Sequence, residues 1–128
     1  MQGWLWLGTG VNGFLAVALG AFGAHGLQRW LAGAQDIERR LAWWQTASQY
    51  HLMHALALGT AAYLATREPS LAKVAGLCFQ VGILLFSGSL YAMTLTGVRW
   101  LGAVTPLGGL AFLGGWAVVA LSGYRLLK

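Results

Sequence analysis

Apolar residues run almost unbroken through four stretches of the chain, at about residues 4–24, 44–65, 71–95 and 106–126. Each is close to the roughly 20 predominantly apolar residues that a helix needs to cross a bilayer. The first two carry no Asp, Glu, Lys or Arg, and the third carries only Lys73, near its start. In lipid, only helices and closed barrels satisfy every backbone N–H and C=O. Runs this long, with so little alternation, are not barrel strands. The pattern therefore predicts an all-α membrane protein, a four-transmembrane-helix up-and-down bundle, with residues 1–128 as a single integral membrane domain. Short links at Thr66–Ser70 and Thr96–Leu101 favour antiparallel neighbours. Pro69 is placed to end one helix and admit the next, and Pro106 suits a first helical turn with Thr105 as its cap. The first stretch lacks the basic leader of a signal peptide and is too long for its apolar core, so it reads as a retained helix.

The pattern changes at about residues 27–43. Leu27, Trp30, Leu31, Ala34, Ile37, Leu41 and then Trp44 recur at helical spacing, with Gln28, Arg29, Gln35, Asp36, Arg39 and Arg40 on the other side. This segment is expected to be amphipathic and to lie in the membrane interface, with Trp30, Trp43 and Trp44 at the headgroup level. A lid folded over one end of the bundle is the rival reading. Gly33 is placed to break the segment in two.

Composition sharpens the class. Hydrophobic residues make up 58% of the chain and charged residues 9%, against about 25% charged in soluble domains. That excludes an ordinary water-soluble enzyme. The net charge is +5, but the basic residues are scattered, so membrane headgroups and not nucleic acid are the expected anionic partner. Arg67, Lys73, Arg125 and Lys128 fall on one side of the predicted bundle, and Arg29, Arg39, Arg40 and Arg99 on the other. This balance gives no orientation by the positive-inside rule. Cys78 stands alone in an apolar run and reads as a small hydrophobe.

Nineteen glycines, concentrated in the predicted spans, point to close helix packing, because lipid tails leave no hydrophobic force to drive helices together. Ala16, Gly20 and Ala24 form one expected small-residue ridge. Gly82, Ser87, Gly88 and Ser89 form a second, and Gly108, Ala111 and Gly115 a third.

Polar side chains at membrane depth are costly and should turn inward. Asn12, His25, Thr46, Gln49, Tyr50 and His54 make up the candidate polar cluster or ligand-binding site, with Thr46, Tyr50 and His54 at i,i+4 spacing. Ser48 and His51 fall on a neighbouring face, and Gln80 is the polar residue of the third span. His25, His51 and His54 share one side of the membrane, close enough in depth to consider a metal or haem. No carboxylate or thiolate lies near to complete such a set. Asp36, Glu38 and Glu68 all lie outside the spans, leaving no carboxylate for ion coupling. Ser87 and Ser89 have no identifiable base. No catalytic residue, metal site or cofactor is expected.

Several motifs, taken in order, are similar to the YgdD-like family of small bacterial inner-membrane proteins, classed as a domain of unknown function. They are Ala18–His25, which includes Gly20 and Gly23, then Trp44-Gln-Thr46 with Tyr50 and His54, then Phe86–Tyr91 with Ser87 and Gly88. Thr105-Pro106-Leu-Gly108-Gly109 and Phe112–Trp116 follow. His25 and His54 match this pattern, which does not require histidine at position 51. The resemblance implies a four-span protein of the bacterial inner membrane with cytoplasmic termini. It implies packing roles for the glycines and for Ser87, Tyr91, Thr105, Pro106 and Trp116, and it supplies no activity. The expected function is thus a non-enzymatic component acting through helix packing with lipid, with further copies or with a larger membrane complex. A small-solute or ion transporter lined by Asn12, His25, Tyr50 and His54 is the alternative. A histidine-based haem or metal protein is the third reading.

Overall fold

The structure, a computed structural model, describes residues 2–128. It is helical, with no strand among the described residues. Helix α1 covers Gly3–His25, α2 Leu27–Trp30 and α3 Ile37–Leu64. Helix α4, Pro69–Gly82, runs through a π turn at Ile83–Ser87 into α5, Gly88–Thr96. A 3-10 turn at Arg99–Ala103 leads into α6, Thr105–Leu126.

Among the described residues, three helical stretches are long and apolar enough to cross a membrane: Gly3–His25, Pro69–Thr96 and Arg99–Leu126. The second expected span is the exception. Helix α3 has 28 residues, about 42 Å at 1.5 Å per residue, so its length is ample. Its hydropathy is diluted by Ser48, Gln49, His51 and His54 in the middle.

The segment at 27–43 does not form one amphipathic helix. Gly33 takes a left-handed backbone with φ of 84°, which breaks it after α2. Residues 37–43 are instead the opening turns of α3. Leu27 and Leu31 turn inward and pack with Trp44, beside Leu19, Phe22 and Tyr91, so this segment caps one end of α1 and α3. Trp44, expected at the headgroups, is a core residue with 3% of its surface exposed. Trp30 remains exposed.

Helix α1 runs antiparallel to α3, with Gly23 against Trp44 at one end and Thr9 against Gly59 at the other. The other face of α3 meets the α4–π–α5 rod, which in turn carries α6. The main core joins Leu5, Leu58, Ala61, Phe79, Ile83 and Phe112. Glycines shape these contacts in an unexpected way. A Cβ on Gly76 would strike Leu5, one on Gly82 would strike Phe112, and one on Gly115 would strike Phe79. Each glycine is therefore a hole for a large side chain. A Cβ on Gly108 would strike the backbone of Phe86, so α6 and the π turn approach closely there. Gly20 has open space around it and Ala24 is exposed, so only Ala16 of the first expected ridge is buried. Gly88 and Gly109 make only loose contacts, at 3.9 Å or beyond from a notional Cβ.

Pro69 and Pro106 sit in first helical turns as expected. Thr105 does not cap α6. It is already helical, and its hydroxyl pairs with Ser89 at 2.6 Å. The outer surface is apolar. Leu7, Phe14, Leu84 and Leu113 are each between 64% and 75% exposed. Apolar surface on this scale is stable in a bilayer and a liability in water.

Candidate functional site

The polar groups inside the bundle converge on His51, midway along α3. Asn12 of α1 uses both amide hydrogens, donating to the Gly8 carbonyl at 2.8 Å and to Gln80 Oε1 of α4 at 3.0 Å. Its Oδ1 can only accept, so His51 Nε2, 3.2 Å away, is the donor there. In the neutral ring Nδ1 is then an acceptor, and the Tyr91 hydroxyl of α5 donates to it at 3.1 Å. A one-way chain of hydrogen bonds thus runs Tyr91 to His51 to Asn12 to Gln80 and clamps α1, α3 and the α4–α5 rod. Two of its four members are amides, which do not relay protons as a hydroxyl or imidazole does.

His54, one turn further along α3, is held differently. The indole N–H of Trp116 in α6 points at its Nε2 at 3.1 Å. An indole nitrogen only donates, so Nε2 accepts and the ring proton sits on Nδ1, which donates to the Tyr50 carbonyl at 2.8 Å. Both nitrogens are in use, and the imidazole stacks on Phe112 at 3.5 Å between centroids.

The other predicted site residues do not join these groups. His25 lies exposed at the end of α1. Thr46 is half-buried, Gln49 is exposed, and Tyr50 keeps 39% of its surface exposed on the outside of α3. The three histidines therefore do not come together. No group of three or more His, Cys, Asp or Glu gathers to hold a metal among the described residues.

Further polar contacts join the helices toward one end. Ser87, in the π turn, donates to the Ala47 carbonyl of α3 at 2.8 Å and is fully buried. Thr94 donates to the Arg40 carbonyl at 3.0 Å, and Arg40 Nη1 returns a long bond of 3.4 Å to the Thr94 carbonyl. The Arg40 guanidinium covers Gly97, the left-handed residue that ends α5. A cation there also favours the negative end of the helix dipole. Asp36 pairs with Arg40 at 3.1 Å and with Arg99 at 3.8 Å, tying the start of α3 to the 3-10 turn. Trp44 donates its indole N–H to the Leu19 carbonyl of α1 at 2.8 Å.

Residues 19–109 match the family described as Protein of unknown function (DUF423). The UPF0382 membrane protein YwdK of Bacillus subtilis is 43% identical over 91% of this chain and 93% of its own length. The UPF0382 inner membrane protein YgdD of Escherichia coli is 38% identical over 92% of this chain and 87% of its own. A UPF0382 membrane protein of Haemophilus influenzae is 37% identical over 90% and 89% respectively. The chain belongs to the DUF423 family. It is an integral membrane protein, as the names of its relatives and its three apolar helices agree. No solved structure matches it.

Within this DUF423 member, sequence reasoning set His51 aside, yet His51 is the residue on which three helices converge. The sequence groups His51 with His25 and His54 as a possible metal or haem set, whereas the rings of His51 and His54, three residues apart on α3, meet different neighbours. Asn12 and Gln80 were legible as polar residues in apolar runs. That they bond to each other follows only from the packing of α1 against α4.

Proposed function

We propose that this protein is a non-enzymatic component of the bacterial inner membrane, crossing it four times with both termini in the cytoplasm. The fourth span is α3. The two histidines of its polar middle are buried against α1, α5 and α6, which lowers their cost in lipid. Arg125 and Lys128 then lie at the cytoplasmic headgroups, where basic residues are favoured. The protein acts through its outward helix faces, on lipid, on further copies of itself or within a larger membrane complex.

The observation that carries this reading is the engagement of both nitrogens of His51 and His54 and of the whole Asn12 amide in bonds within the chain. Groups so engaged serve helix packing, and an amide-interrupted chain argues for clamping over proton conduction. Cross-linking and native mass spectrometry in mild detergent test the reading. A species carrying a second copy, a partner or tightly held lipid is expected, and bare monomer alone would overturn it.

A further inference from the structure

We propose that the crevice between the starts of α1 and α4 binds the headgroup of an anionic phospholipid, with its phosphate on Lys73. The proposal rests on the reading that the protein acts on lipid, and it names the lipid class and the place. The crevice encloses about 260 Å³ and is lined by Gln2, Trp4, Leu5, Ala65, Pro69 and Lys73. Trp4 and Leu5 form its α1 wall. They lie against α4 at Gly76, where an added Cβ would come within 3.1 Å of the Trp4 indole. Depth follows from length. Helix α1 has 23 residues, about 35 Å, slightly more than the roughly 30 Å of a hydrocarbon core, so its ends reach the headgroups. Helix α4 also begins here and continues as the apolar stretch Pro69–Thr96. Trp4 is 40% exposed, and an indole is favoured at that level.

Charge selects the occupant. The chain has three acidic side chains. Asp36 pairs with Arg40 and Arg99 at the far end of the bundle, and Glu38 lies in the first turn of α3 beside it. Glu68 adjoins the crevice, but Arg125 holds it at 3.6 Å. Lys73 therefore has no carboxylate partner among the described residues, and Arg67 and Lys128 add to the positive surplus at this end. A phosphatidylcholine or phosphatidylethanolamine headgroup would bring one more cation into that surplus. Phosphatidylglycerol brings a phosphate and no cation. The starts of α1 and α4, neither capped by a side chain, add amide N–H groups that also favour an anion. Leu77 and Val81 follow Lys73 at i+4 and i+8 on the same face of α4, and both are exposed. They offer an apolar track for an acyl chain beneath the charge.

The test is native mass spectrometry of the protein in mild detergent with equimolar palmitoyl-oleoyl phosphatidylglycerol and phosphatidylcholine. The wild type should retain phosphatidylglycerol about fivefold more than phosphatidylcholine, the effect of one basic side chain at an anionic headgroup. Lys73→Gln should remove most of that preference and Lys73→Arg should keep it. Arg29→Gln, at the opposite end, should leave it unchanged. Equal retention of the two lipids by the wild type overturns the proposal even if Lys73→Gln fails to fold, and so does a full preference in Lys73→Gln. Adducts of added inorganic phosphate, with no preference between the lipids, would assign the crevice to free phosphate and also overturn it. If the wild type holds a second copy, a partner or phosphatidylcholine without preferring phosphatidylglycerol, this proposal fails alone. If bare monomer is the sole species, the reading on which it rests fails with it.

Discussion

At the scale of single residues, the two buried histidines illustrate how similar side chains acquire different roles. His51 is placed by a tyrosine and an amide, His54 by an indole and a backbone carbonyl. Removing a partner leaves a buried polar atom unsatisfied, which costs about 1–3 kcal/mol. In membranes the net value of a bond is smaller, about 0.6 kcal/mol on average, because the unfolded state in lipid also finds partners. Trp116→Phe should therefore lower stability by about 1 kcal/mol, measured by thermal unfolding in detergent. Asn12→Ala should cost more, because it strips partners from both His51 and Gln80. A double-mutant cycle between Asn12→Ala and His51→Ala should show a coupling of about 0.5–1.7 kcal/mol. Additive losses would mean that the chain of bonds is not energetically joined.

At the scale of helices, the contacts pair a glycine with a large side chain. Gly82 receives Phe112 and Gly115 receives Phe79. A methyl group added at either position must push an aromatic ring out of the core. Gly115→Ala and Gly82→Ala should each destabilise by about 1–3 kcal/mol, the usual range for overpacking, with Gly13→Ala as a control, since nothing stands near that position. Two turns provide a further contrast. Gly33 and Gly97 both have positive φ, at 84° and 73°, so alanine at either carries about 1–2 kcal/mol of backbone strain. Only Gly97 lies under the Arg40 guanidinium. Gly97→Ala should thus be the more damaging of the two, and equal melting temperatures would argue that Arg40 moves aside without cost.

At the scale of the whole molecule, the helices place residues 27–36 and the 3-10 turn at one end of the bundle. Gln2, Lys128 and the turn before Pro69 lie at the other, where Arg125 pairs with Glu68 at 3.6 Å. If α3 spans the membrane, these ends face opposite compartments. In a Cys78→Ala background, Ala32→Cys and Trp100→Cys should label with a membrane-impermeant maleimide from one side, and Leu127→Cys from the other. Labelling of Ala32→Cys and Leu127→Cys from the same side would overturn the four-span topology.

The apolar runs, the sparse charge and the prolines at helix starts determined the class and most helix boundaries, because the demands of lipid on length and hydrogen bonding act on local sequence. The break at Gly33 was legible for the same reason, as a property of one residue's backbone. Tertiary structure decided which faces meet. The inward turn of Trp44, the choice of large side chains for the glycine holes, and the meeting of Asn12, His51, Gln80 and Tyr91 each depend on two or more helices that lie far apart in sequence. Periodicity gives the face of one helix but not the rotation and depth of its neighbours, and a hydrogen bond of about 3 Å requires all three.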